Sequence, residues 1–326
     1  MSGGKNPIAA RRADTLRVAG GAGRRRGLLL SKPRRAPSAP LLALLFACWF
    51  PPAGGDEVRF ERGLLFEIDA GAARPCHLFG TIHSEDPRVL DLPPAVEEAF
   101  DRADVLVMEA IPDEQAFRGA MASMLYTDGR TLEGVVGPRL FEESLEAVSG
   151  LGMSAEAVKH FKPWAVVTLL SVPRPATGEF LDIRLYKAAL EDGKEVVGLE
   201  TLGEQLAVFD GLSLDDQIAL LRDTLARLQE LPEAFERLLQ AYLERDIAEL
   251  LRLSDRYLRS GDEQLAARLE EAALAVRNLR MVRRMEGPLG EGGCFIAVGA
   301  LHLPGPGGIL QRLHGRGYSL GLVYLS

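Results

Sequence analysis

The sequence predicts an α/β fold: a mixed sheet that starts with a β-hairpin and continues in parallel strands flanked by helices, plus an inserted α-helical subdomain. Three observations predict it. Short, continuously apolar runs read as strands covered on both faces rather than one. Helical periodicities fall between those runs near both ends of the chain. A leucine-rich helical stretch over residues 214–286 interrupts the alternation. The 326 residues, 47% hydrophobic and 26% charged, exclude disorder, collagen and a polytopic membrane protein as descriptions of the whole chain.

In chain order, residues 1–55 come first, with ten Lys or Arg against one acid, Asp14. That head carries +9 of a net charge of −8, so residues 56–326 carry −17. So acidic a body has no electrostatic footprint for nucleic acid. Leu41–Phe50 is an apolar run of ten residues, too short to span a bilayer yet suited to the apolar core of an export signal. Leu45-Phe-Ala-Cys48 resembles a lipobox, in which the Cys is lipidated. Residues 1–55 are therefore expected to be a basic export signal, and the protein to be periplasmic or cell-envelope, touching membrane only through signal or lipid. Residues 56–326 are expected to form one α/β domain, with the helical insertion at about 203–286.

Within the body, Leu64–Ile68 and His77–Ile82 flank a Gly- and Pro-containing link and read as a hairpin. Val105–Met108, Glu195–Leu199, Phe295–Val298 and Leu320–Leu325 read as further strands. Helices are expected over Pro94–Ala103, Arg139–Ser149, Pro163–Leu170, Phe180–Asp192 and Ile309–Arg316. Leu231-Pro232 and Ser260-Gly261 divide the leucine-rich stretch into separate helices, and no heptad persists across them. Cys76 and Cys294 precede His83 and His302 by seven and eight residues. Two neighbouring strands would let them pair, but buried free thiols are the preferred reading, since Cys is among the most buried residue types.

Ligands of open α/β sheets collect beyond the C-terminal ends of parallel strands. The first ionisable residues at those addresses are His83, Glu109, Glu200 and His302. Imidazoles and carboxylates suit divalent Mn, Co, Zn or Fe, and one carboxylate can activate a water. Both histidines end a Gly-x-x-His motif, Gly80–His83 and Gly299–His302, where glycine permits close backbone approach. His77, His160 and His314 are assigned surface or structural positions. The chain contains no Gly-x-Ser-x-Gly, Gly-x-x-x-x-Gly-Lys, Gly-x-Gly-x-x-Gly or His-Glu-x-x-His motif.

On these residues the chain resembles the TraB/GumN family, which includes the animal Tiki metalloproteases and is distantly similar in fold to erythromycin esterase-like proteins. The carriers are His77-Leu-Phe-Gly-Thr-Ile-His83, Val107-Met-Glu109, Lys162-Pro-Trp-Ala165, Gly178 with Asp182, Gly198-Leu-Glu-Thr201 with Glu204-Gln205, Arg277-Asn278 with Met281, and Val298-Gly-Ala-Leu-His302 before Gly317-Tyr318. The resemblance runs over about residues 60–326. It implies an exported metal-dependent hydrolase acting on a peptide or protein. His83 and His302 would be ligands or transition-state stabilisers, Glu109 and Glu200 ligands or the general base, and Arg277 a charge partner in the cleft. Asn278 would orient a ligand, with Gly80, Thr81 and Gly299 supporting the site. A second class is a non-catalytic exported binding protein for a peptide, pheromone or haem-like ligand. A third is an interaction module on the helices 203–286, whose charges read more simply as a solvated face.

Overall fold

The computed structural model describes residues 60–171, 176–259 and 263–323. The segment expected to be an export signal, the Ser260-Gly261 break and the last two residues of the strand expected at Leu320–Leu325 lie outside them. Six strands form one mixed sheet flanked by helices: β1 (Leu65–Asp69), β2 (Cys76–Thr81), β3 (Val105–Ala110), β4 (Glu195–Glu200), β5 (Cys294–Gly299) and β6 (Ser319–Leu322). Their order is β4-β3-β5-β2-β1-β6. Strands β4, β3, β5 and β2 are parallel, whereas β1 is antiparallel to both β2 and β6. The β1–β2 hairpin turns where the Asp69 carboxylate accepts the Gly71 N–H at 2.8 Å, with Gly71 at φ 73°.

Strand order is what assembles the site. Although β5 comes late in the chain, it inserts between β2 and β3 and brings residues near 83, 109 and 302 to one end of the sheet. Its parallel register with β2 sets His77 opposite Phe295, and so Cys76 opposite Cys294. The two cysteines form a disulfide with Cα atoms 4.7 Å apart. Buried free thiols, the reading that the sequence favoured, are thus corrected by a cross-strand register that periodicity does not reveal.

The helices follow the expected pattern with local departures. Pro163–Leu170 starts with Pro in its first turn, and buried Trp164 donates to Asp210 at 2.9 Å. The leucine-rich stretch divides into Leu214–Ala226, Leu231–Leu243, Ile247–Arg259, Glu263–Glu270, a π-helical turn Glu271–Ala275, and Val276–Glu291. Pro232 falls in the first turn of its helix. A further break stands at Arg245, a non-glycine residue at φ 60°, after which Asp246 accepts the Glu249 N–H at 2.8 Å. Helix Leu202–Asp210 lies at the start of the expected helical insertion, and Thr201 and Glu204 close a capping box at its N-terminus.

Two apolar cores result. One packs both faces of the sheet and includes Phe79, Leu106, Phe295, Tyr242 and Met281. The other lies among helices and unites Met124, Leu132, Phe161 and Trp164 with Leu206, Phe209, Leu221 and Leu265. No helix among the described residues is long and apolar enough to cross a membrane.

Candidate active site

The parallel strands end on polar side chains, each held by a partner from another element. Beyond β2, Thr81 donates its hydroxyl to Asp182 at 2.7 Å, and the other Asp182 oxygen lies 3.5 Å from His83 Nδ1. Asp182 stands in the first turn of helix Leu181–Glu191, and Phe180 just before it stacks on the His83 ring at 3.8 Å between centroids. Burial works to raise the Asp182 pKa, but hydrogen bonds from His83 and Thr81 prevail and hold it below the usual carboxylate value. A carboxylate facing Nδ1 keeps the proton there and leaves the Nε2 lone pair exposed to the site. His83 Nε2 is buried without a hydrogen-bond partner among the described residues.

His302, beyond β5, is fully buried and held in one tautomer. The Asn278 amide donates to the Gly307 carbonyl at 2.9 Å, so its oxygen must face the His302 Nδ1, 2.5 Å away. Nδ1 therefore carries the hydrogen, and Nε2 is again an unpartnered lone pair. Burial, reinforced by the Arg277 charge, holds His302 well below the ordinary imidazole pKa and keeps it neutral.

Glu109 stands near the end of β3, the strand beside β5. One oxygen accepts the Gly299 N–H at 2.5 Å and stands 3.6 Å from His302 Nε2. The other accepts from Arg277 at 2.9 Å and from Gln205 at 3.2 Å. Burial raises its pKa above the carboxylate norm, against the opposing pull of Arg277 and the Gly299 N–H. A buried carboxyl poised this way suits proton transfer.

Glu200 has a different surrounding. Arg277 donates to one of its oxygens at 2.7 Å and Arg280 to the other at 2.6 Å. Both oxygens are thereby occupied by guanidinium groups, and Arg277, 2% exposed, bridges Glu200 to Glu109 from helix Val276–Glu291. Gly80 is required sterically: a Cβ there would lie 2.7 Å from Leu303 Cδ1 and 3.1 Å from Ala300 Cα. Its carbonyl accepts the buried Tyr242 hydroxyl at 3.0 Å, and burial, then the Asp182 charge, raises the Tyr242 pKa.

A cavity of about 80 Å³ opens onto these groups, lined among others by His83, Glu109, Asp182, Gln205 and Tyr242. The structure thus joins His83, Glu109, Glu200, Arg277, Asn278 and His302, all named from sequence, in one cluster. Asp182 and Gln205 stand in the sequence reading only as carriers of the family resemblance, and Tyr242 stands in none of its motifs. Tyr242 carries no local signal, because it sits in a leucine-rich helix whose periodicity reads simply as core. His77 lies elsewhere, on β2, 3.8 Å from Glu67. Among the described residues no three His, Cys, Asp or Glu side chains stand together as a set able to hold a metal ion. The site instead presents two unpartnered imidazole nitrogens and one carboxylate oxygen beside His302.

No curated protein matches the chain. Residues 64–320, which contain the whole sheet apart from the end of β6 and every residue of this cluster, match the TraB/PrgY/gumN family. With most of its length covered by that match, the chain belongs to the TraB/PrgY/gumN family.

Proposed function

We propose that the protein is an exported, divalent-metal-dependent hydrolase, a peptidase, working at the cavity in front of Glu109. The observation that carries this reading is the pair of strand-end imidazoles, each fixed with its Nε2 lone pair free, one of them 3.6 Å from a buried carboxyl. Imidazole and carboxylate donors suit Mn, Co, Zn or Fe, and His83, His302 and Glu109, which do not stand as a formed three-ligand set, would have to draw together to hold the ion. When bound, such an ion polarises a carbonyl and lowers the pKa of water.

The remaining work falls to the chain's own side chains. Glu109, its pKa raised by burial, is the group placed to take a proton from a water in the cavity, and His302, held neutral, keeps its Nε2 lone pair free for the ion. Arg277 is a positioning residue, because it aims Glu109 while Glu200 balances its charge. Asp182 and Asn278 keep the two rings in their tautomers. Gln205 steadies the second Glu109 oxygen. Export is supported by the basic head with its apolar run, and by the Cys76–Cys294 disulfide, since disulfides persist in oxidising compartments.

The test is metal analysis and peptide-library hydrolysis of the purified protein beside a His83→Ala, His302→Ala double variant. The wild type should bind one of the four metals and cleave peptide, and the variant should lose both. Wild type without metal, with hydrolysis untouched in the double variant, would falsify the reading. The occupation of both Glu200 oxygens by Arg277 and Arg280, which takes that carboxylate out of the reacting groups, favours one second reading, a non-catalytic binder of a peptide, pheromone or haem-like ligand. A metal-free protein that hydrolyses no peptide but carries a bound ligand from its host supports it.

A further inference from the structure

Besides the polar groups already described, the cavity in front of Glu109 is lined by apolar side chains, with Ile82, Met108, Leu250, Leu301 and Phe235 among them. The first four belong to the core that packs on the sheet. Phe235 belongs to neither apolar core and stays half-buried. A large aromatic side chain thus stands at the reactive cavity without taking part in the packing that stabilises the fold.

The helix that carries Phe235 fixes its place. Phe235, Leu238 or Leu239, and Tyr242 recur at i, i+3 or i+4, and i+7, so they share one face of helix Leu231–Leu243. The Tyr242 hydroxyl ties that face to the Gly80 carbonyl, three residues before His83. Size then decides what the cavity admits. An engineered apolar cavity of about 150 Å³ takes benzene, so one of about 80 Å³ has room for about three carbon atoms. That corresponds to side chains from alanine to valine. Phe235 also lines a larger apolar space of about 610 Å³ among the helices, and is the one residue that the two spaces share among those described. Shortening it should therefore join them and lift the size limit rather than move it by one carbon.

We propose that Phe235 is the specificity-determining residue of this cavity, closing it to side chains larger than valine, and that the ligand is a peptide with a small apolar residue, alanine to valine in size, seated there. A charged side chain would lose its hydration against such a lining and is disfavoured at the same position. That the small residue flanks a bond that is cut rests on the hydrolase reading. The size limit itself does not, and it can be measured without metal or turnover.

Two measurements on the purified full chain test it. In a series of peptides that differ only in the residue beside the cut, kcat/KM should be highest for Ala and Val, about ten-fold lower for Leu and about 100-fold lower for Phe, since one methylene too many in a closed pocket costs about ten-fold or more. Phe235→Ala should raise the ratio of Phe to Val by about ten-fold or more, and Phe235→Trp should lower the ratio of Val to Ala by a similar factor. Calorimetric titration with the N-acetyl derivatives of Ala, Val, Leu and Phe should give the same order, and the same shifts in both variants, without turnover. Circular dichroism of each variant separates altered selection from a lost fold, and Phe235→Leu, a milder truncation, takes the place of Phe235→Ala should that variant not fold. A wild type that favours Leu, Phe or a charged residue, or ratios that neither variant moves, overturns the proposal. Hydrolysis with unmoved ratios removes this inference alone. The expected order in binding without any hydrolysis removes only the enzymatic reading, and absence of both removes both.

Discussion

Arg277 is the residue on which the cluster turns, because it is almost wholly buried and bonds two carboxylates from adjacent strands. Deleting one member of a buried ion network leaves an uncompensated charge and costs about 3–5 kcal/mol. Arg277→Met should therefore lower the unfolding free energy by about that amount in urea titration, with Glu109 and Glu200 left facing each other. A loss below about 1 kcal/mol would mean that water, not protein, solvates the carboxylates. His302 sets a pH dependence of known sign. Its folded pKa is depressed, so its stabilising contribution is complete above the unfolded value of about 6.5 and is lost as pH falls below it. Between pH 6.5 and 5 the wild type should lose stability more steeply than His302→Gln, by up to about 1.4 kcal/mol per pH unit. His77, also depressed by burial and by Arg102 against the pull of Glu67, is present in both proteins and cancels from the comparison. Equal slopes would place His302 in contact with solvent.

At the scale of elements, the short links between strands and helices hold the side chains at their addresses. Helix Leu202–Asp210 starts at the Thr201 capping box and carries Gln205 to the Glu109 carboxylate, so its first turn is both a cap and a support for the site. Thr201→Ala should cost about 1 kcal/mol in thermal or urea unfolding, while Thr201→Ser should cost almost nothing. Strand β2 depends on Gly80, where the turn that leads from β5 to His302 packs against the strand backbone through Ala300 and Leu303. A methyl group there overlaps both, and Gly80→Ala should destabilise by about 1–3 kcal/mol through displacement of that turn. The two Gly-x-x-His motifs therefore differ physically. Gly80 provides clearance, whereas Gly299 contributes its N–H to Glu109.

For the molecule as a whole, the Cys76–Cys294 disulfide closes a loop of 218 residues that contains nearly all of the body between the hairpin and β5. A cross-link of that span stabilises mainly by restricting the unfolded chain, typically by about 2–4 kcal/mol. Paired Cys76→Ser and Cys294→Ser substitutions should lower the unfolding midpoint accordingly. With both cysteines 1% exposed, reductant should act on the native protein only after opening, so reduction in dilute urea should track unfolding. The acidic charge of the body is a property at this scale too. Excess carboxylates such as Glu98, Glu143 and Glu156 lie on exposed helix faces in pairs with Arg or His, where each pair contributes little.

The residue types of the candidate site were legible in the sequence, because a strand's hydrophobic run and the first ionisable residue after it are local facts. His83, Glu109, Glu200 and His302 could be named from that rule, and the α/β class from the alternation of runs with helical periods. Which of them meet, and in what state, was decided by tertiary structure. The insertion of β5 between β2 and β3 joined Glu109 to His302, opposed Cys76 to Cys294, and gave both Glu200 oxygens to arginines from a helix some eighty residues away. Tyr242 and Asp182 took their places the same way, through packing between segments distant in the chain. Periodicity reports whether a residue is buried, but its partners depend on strand order and register, which the burial of the whole sheet selects.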